Sequence, residues 1–284
     1  MQQVDLDNWA EFKSTIEDIR KKHGYHEYTI GDNQSIKHKN TVLFRGQQCA
    51  EWSLKTTLER KTDKSYTVSR YLSQSTRLVH ELESFTGSKW GIDDFPELEK
   101  EIEDKQDKLF GPYLPRKDYL IYLRHHGYPS PLLDWSESPY IAAYFAMSDP
   151  VKCEAPEHRS AIYAYIDNID SGRSFAGGTP MIKLIGPFVS THKRHFAQKA
   201  QYTIAVKWSD KLNSFIFCSH HEVFDNPNKF PNQDLLIKIT IPVSDRNSAM
   251  RELDDYNINH FTLFQTEDAL IKKLSIDHFD IKDY

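Results

Sequence analysis

The chain has 284 residues, of which 39% are hydrophobic and 27% charged, enough apolar material for a sizeable core and too much for a disordered protein. Its formal net charge of -5 argues against a protein that grips nucleic acid over a broad basic surface, while leaving room for a small basic cleft. The three cysteines, Cys49, Cys153 and Cys218, are far apart and form no Cys-x-x-Cys pair, so neither a disulfide framework nor a zinc knuckle is indicated.

The opening MQQVDLDNWAEF lacks the apolar core of a signal peptide, and no run approaches the ~20 apolar residues of a membrane span. The expectation is a cytoplasmic protein with no membrane partner. Trp9, Phe12, Ile16 and Ile19 recur at helical spacing up to Gly24, and Tyr25 to Asn40 read as a linker. The first 40 residues thus form an N-terminal helix and linker, and residues 41–284 form the main domain. TVLF at Thr41 reads as a buried strand that delivers Arg45 at its end, with Gly46 allowing a sharp turn.

A helix is expected over Tyr66 to Phe85, a charged solvated helix over Pro96 to Leu109, and a third helix over Lys117 to His126 that stops at Gly127. Ser138 is a natural N-cap and Pro139 suits the first turn of the apolar helix that follows. Asp134 to Ser138 would then sit at a helix N-terminus, where free N–H groups favour an anion. The second half changes to strands, at Ala161, Tyr202, Ser214 and Leu235, with a Gly-rich loop around Gly177 and Gly178 and a short helix near His195. Helices followed by strands give an α+β class, with a helical N-terminal portion and a mixed or antiparallel β core.

The segment His125 to Met147, HHGYPSPLLDWSESPYIAAYFAM, concentrates turn-formers, histidines and polar donors beside Leu132, Leu133 and Trp135, the composition of a site loop on an apolar floor. Arg45 offers a planar, permanently charged fork for phosphate or carboxylate; the alternative is an internal salt bridge to Asp134. His125 and His126 close a helix and suit its dipole. A metal would draw on His192 with His195, or on His220, His221 and Glu222, but neither set has the His-Glu-x-x-His spacing, so no metal is expected. Cys218 near His220 and His221 is the only support for Cys-His catalysis, and no Gly-x-Ser-x-Gly elbow occurs.

VLFRGQ at Val42 to Gln47, Trp52, Arg60, the Asp-Trp block and the set Arg194, Gln198, Ala200, Tyr202 and Thr203 together resemble the bacterial FRG family, named for its Phe-Arg-Gly tripeptide. The resemblance spans roughly Thr41 to Leu274, where LLIKITI to HFTLF follows the family's order of strand, helix and short strand. Pro131 stands where the family has a basic residue before Leu-Leu-Asp-Trp, and His126 where it has an aromatic; Arg124 is the nearest replacement cation.

The family's motif order is similar to that of ADP-ribosyltransferases, which implies a β core like their split sheet and NAD as substrate. Mapped by order, the resemblance assigns catalytic roles to Arg45, Asp134 and Glu222 or Gln198. It sets Phe44, Gly46, Gln47, His126, Gly127, Trp135, Ser136, Ser138 and Tyr144 against NAD. It implies a toxin or phage-defence effector that modifies nucleic acid, RNA foremost, or a protein acceptor, with an antitoxin or chaperone as a possible partner. A nucleotide-sensing or protein-binding module without turnover and a metal-independent nuclease are the other classes.

Overall fold

The computed structural model describes residues 1–30, 34–92, 95–106, 113–149, 157–167, 178–185, 193–225 and 234–280. His192, Gly177 and Cys153 lie outside these. In chain order come β1 (Gln2–Asp5), α1 (Phe12–His23), β2 (Tyr25–Ile30), β3 (Gln34–Lys39) and β4 (Thr41–Gln47). Five helices follow, α2 (Thr57–Lys61), α3 (Val68–Thr76), α4 (Val79–Thr86), α5 (Phe95–Lys105) and α6 (Lys117–His125). The middle of the chain holds β5 (Leu133–Ser136), α7 (Pro139–Met147), β6 (Arg159–Asp167), β7 (Met181–Ile185) and α8 (Lys193–Ala197). The remainder is β8 (Ala200–Ser209), β9 (Ser214–Phe217), α9 (His220–Phe224), β10 (Asp234–Pro242), α10 (Arg246–Asp255), α11 (His260–Phe264) and α12 (Glu267–Ser275). The class is α+β.

The main sheet runs β1-β10-β6-β4-β5-β8-β7, with β9 on β8. Among the described residues only the β1–β10 pair is parallel; β10–β6, β4–β6, β5–β8, β7–β8 and β8–β9 are antiparallel. The β4–β5 junction differs from the rest. Its register consists of one pair, Phe44 opposite Ser136, whereas β4 pairs with β6 along its whole length, from Thr41 opposite Asp167 to Gln47 opposite Ala161. Beyond Phe44 the two strands part, and the sheet is forked at its centre.

Alternation along the strands divides the core. On one face Phe44, Ile162, Ala164, Ile166, Ile237 and Ile239 meet Phe12, Ile16 and Ile19 of α1 and the apolar α7. On the other, Leu43, Leu133, Trp135, Tyr163 and Tyr165 meet Val223 and Phe224 of α9. Helices α3 to α6 make a third cluster against Tyr202, Ile204 and Val206 of β8. The N-terminal segment is part of this body, since β1 extends the sheet and α1 buries its apolar stripe.

Several local expectations need correcting. The stretch read as a linker holds a hairpin, with Tyr25 opposite Lys39. The single helix expected over Tyr66 to Phe85 is two helices, the second stopped by Gly87 in the left-handed region at φ 71. The segment ending in HFTLF is the helix α11, not a strand, started by a capping box between Asn259 and Thr262. Cys49 is disulfide-bonded, against the expectation of no bridge. Gly46 does not turn the chain: it lies inside β4, where an added Cβ would come within 2.0 Å of the Ala142 carbonyl oxygen and 2.6 Å of the Ala146 nitrogen. Glycine is required there because α7 lies directly on the strand.

Candidate functional site: an arginine-lined cavity at the fork of the sheet

The fork opens a cavity of about 330 Å³, walled by Phe44 to Gln48 of β4 and its continuation, by Asp134, Trp135 and Ser136 of β5, and by Ala142 and Phe145 of α7. Trp52, Arg60, Arg124, His125, Arg194, Gln198, Ala200 and Phe264 complete it. Among the described residues four arginines and one carboxylate line it, in a chain whose overall charge is negative. Such a concentration of positive charge in a walled cleft focuses its field on an anion.

Arg45 reaches across the fork. Its Nη1 donates to the main-chain carbonyl of Asp134 at 2.7 Å, so the internal link is to backbone rather than to the Asp134 carboxylate. The carboxylate belongs to Arg124, which binds it in a forked pair, Nη2 to Oδ2 at 2.5 Å and Nε to Oδ1 at 3.2 Å. Burial alone would raise the Asp134 pKa, but Arg124, Arg45 and His125 together hold it below the ordinary value. Burial pushes the Arg45 guanidinium down to about 10, with Arg124 and Arg60 acting in the same direction and Asp134 and Tyr163 opposing. It stays cationic at neutral pH, and an anion beside it would relieve the crowding of like charge.

Among the described residues, Arg45 Nε, a donor, and Gln47 Oε1, an acceptor, have no hydrogen-bond partner although they are buried. Buried polar groups are normally satisfied, and these two belong to residues of one strand that both line the cavity. A ligand with both an anionic oxygen and a hydroxyl or amide N–H would satisfy them.

The other lining groups are held by the protein itself. Ser136 Oγ donates to the Gln198 carbonyl at 2.8 Å and accepts from Ser138 N at 3.0 Å. The Gln198 side chain donates to the Leu263 carbonyl at 3.2 Å. His125 Nε2 shares a hydrogen bond with Tyr202 at 2.7 Å. Arg194 lies over the Phe264 ring, 5.3 Å from its centroid.

The residues expected at the site are therefore divided. Phe44, Arg45, Gly46, Gln47, Asp134, Trp135, Ser136 and Gln198 meet at the cavity; the others do not line it. Glu222 caps α9 through Ser219 and pairs with Lys207 at 2.5 Å, facing a separate depression beside Cys218. His126 stacks on Tyr122 at the exposed end of α6, next to Gly127. Ser138 is spent as the N-cap of α7. Tyr144 is buried with its hydroxyl on His260.

Trp135 lines the cavity, but its ring is buried in the core: its Nε1 donates to Thr203 at 2.7 Å and the ring packs on Tyr165. It cannot sandwich a ligand ring. Helix α7 presents its side, Ala142 and Phe145, rather than its first turn, so the anion expected at its N-terminus has no such seat. Sequence reasoning missed Gln48, Ala142, Phe145 and Phe264, and read His125 as a helix cap at the start of the segment taken for a site loop.

Two of the histidines considered for metal chemistry, His220 and His221, have structural roles. His220 is buried, bonds Thr203 Oγ1 at 2.9 Å, and is pushed down to about 3 by burial. His221 Nε2 accepts from Leu54 N at 3.0 Å. Burial raises the Cys218 thiol, the opposite of what a nucleophile needs. Among the described residues no group of three or more His, Cys, Asp or Glu side chains is placed to hold a metal ion, and no helix is long and apolar enough to cross a membrane.

No curated protein and no solved structure matches the chain. Residues 40–155, which contain β4, Trp52, Arg60, Arg124, the Asp-Trp block and α7, match the family model of the FRG domain. Over this stretch the chain is similar to the FRG domain.

Proposed function

We propose that the cavity binds a nucleotide by its phosphates and that the protein is an NAD-dependent ADP-ribosyltransferase. The observation that carries the reading is Arg45, a buried guanidinium fixed by the Asp134 carbonyl, with its Nε unpartnered in a cavity of excess positive charge. A pyrophosphate meets that demand, and a ribose hydroxyl or the carboxamide of nicotinamide meets the complementary one at Gln47 Oε1.

The reaction breaks the bond between the ribose anomeric carbon and the nicotinamide nitrogen, the electron pair leaving with nicotinamide, and an acceptor oxygen or nitrogen then bonds the anomeric carbon as its proton departs. The positive charge that develops on the ribose is favoured by a fixed carboxylate. Asp134 is the carboxylate in the cavity lining, and it is this role, rather than Glu222, that the geometry favours. Arg45 contributes by holding the phosphates and the Asp134 backbone in one arrangement. Nucleic acid, RNA first, and protein remain the acceptor classes, and an antitoxin or chaperone the expected partner of a toxin.

A second reading, a nucleotide sensor without turnover, is favoured by one contact: the forked Arg124 pair already neutralises Asp134. Incubation with NAD labelled in the adenylate, together with total RNA or lysate, separates the two. Transfer of label that Arg45→Ala and Asp134→Asn abolish supports the transferase. NAD binding without transfer supports the sensor, and RNA cleavage without NAD contradicts both.

A further inference from the structure

The chain has five tryptophans, and four have settled surroundings. Trp9 stacks on Phe12 and donates to Glu252. Trp135 donates to Thr203, Trp208 packs on Phe215 and donates to Asp210, and Trp90 lies between Tyr119 and Tyr122. Trp52 is the exception. It lines the cavity yet is 43% exposed, and among the described residues its indole has neither a ring partner nor a hydrogen bond.

The backbone that carries this indole is nonetheless pinned on both sides. Ala50 N donates to the Arg159 carbonyl at 2.8 Å, Trp52 N to Cys49 at 3.2 Å, and Leu54 N to His221 at 3.0 Å. The Gln47 amide holds the Ser53 carbonyl at 3.3 Å, and Cys49 is disulfide-bonded. An exposed indole on a pinned backbone, lining a cationic cavity, offers a flat apolar face for a ligand ring to cover. Stacking there costs less ordering than on a free loop, because the backbone that carries the ring is already held.

Cavity size bears on what lies there. Its 330 Å³ is at the small end of the range of about 300–1,000 Å³ for ligand pockets, so a dinucleotide would fill it with one half and leave the other at the mouth. Trp52 stands there beside the exposed Arg60, which also lines the cavity and has no carboxylate partner among the described residues.

We infer that Trp52 is a specificity-determining residue of this site, the face on which a nucleobase of the ligand stacks while the phosphates lie between it and Arg45. The inference rests on the reading of the cavity as a nucleotide site. It adds a requirement that reading does not make: the ligand is recognised by an aromatic base at the mouth, and phosphate alone is a poor substitute.

Calorimetric titration of NAD, ADP-ribose and inorganic pyrophosphate into the full chain and into Trp52→Ala and Trp52→Phe tests this. Trp52→Ala should weaken NAD and ADP-ribose about tenfold or more, Trp52→Phe should restore most of that loss, and pyrophosphate should bind both variants as it binds the parent. ADP-ribose binding unchanged in Trp52→Ala overturns the stacking role and leaves the nucleotide reading standing. Equal weakening of pyrophosphate also overturns it, since the ring would then act only on the shape of the loop. No binding of NAD or ADP-ribose to the parent chain overturns both.

Discussion

Arg45 and Asp134 meet through the main chain: the guanidinium of one spans the fork of the sheet to the carbonyl oxygen of the other at 2.7 Å. The Asp134 side chain is thereby left to Arg124, whose two nitrogens grip both carboxylate oxygens. Removing Arg124 strands a partly buried carboxylate, so Arg124→Ala should lower unfolding free energy by ~1–3 kcal/mol. Adding Asp134→Ala to it should cost much less than the two single losses combined. Denaturant titration of the four proteins in this cycle measures the coupling, and additive losses would show that the pair is not a stabilising unit.

Close packing of α7 on β4 gives a second expectation. A methyl group at position 46 would meet backbone atoms of Ala142 and Ala146 rather than a movable side chain, so Gly46→Ala should cost at least ~2 kcal/mol. Because Arg45 and Gln47 are its neighbours in β4, ligand binding should fall with it. A thermal melt within one degree of the parent would mean that strand and helix can separate freely.

Glu222 belongs to a cap. Its side chain accepts from Ser219 N and pairs with Lys207, outside the cavity. Glu222→Ala should reduce stability by ~1 kcal/mol through the lost cap and leave NAD binding and any label transfer at parental values. Loss of transfer with folding intact would restore Glu222 to the reaction.

Acid stability has a specific contributor in His220. Its folded pKa, about 3, lies below the ordinary 6.5, so between those values the unfolded chain binds the proton and the folded chain does not. Stability therefore falls as pH drops from about 6.5 towards 3, with a slope of up to about 1.4 kcal/mol per pH unit from this one group. In His220→Asn that part of the slope should vanish; urea midpoints from pH 7 to 4 would reveal it, and an unchanged slope would mean that His220 is protonated in the folded protein.

Much of this arrangement was legible in local sequence. Ser138 before Pro139 marked the start of α7, Gly127 the end of α6, and the apolar runs at Ala161 and Leu235 the central strands. The errors came from reading some segments with the wrong period. Taken as the strand it is, LDWS sends Leu133 and Trp135 to one face and Asp134 and Ser136 to the other, which would have put Trp135 in the core beside Leu133. Ser219-x-x-Glu222 has the form of a capping box, as does Asn259-x-x-Thr262, whose segment had read as a short strand.

What no local pattern carries is the meeting of Arg60, Arg124, Arg194 and Phe264 around Arg45. It depends on the single-pair junction of β4 with β5 and on the way α8 and α11 close over it. Phe264 and Phe145 are ordinary apolar residues of their helices in sequence and become cavity wall only through that tertiary contact.

The most direct test of the whole account is the affinity of NAD for the parent chain and for Arg45→Ala, measured at equilibrium and low ionic strength, with circular dichroism to show that both are folded. The parent should bind, and the variant, having lost a charged donor in a walled cleft, should bind about tenfold to a hundredfold more weakly. NAD affinity that is absent in the parent, or equal in the two proteins, would contradict it.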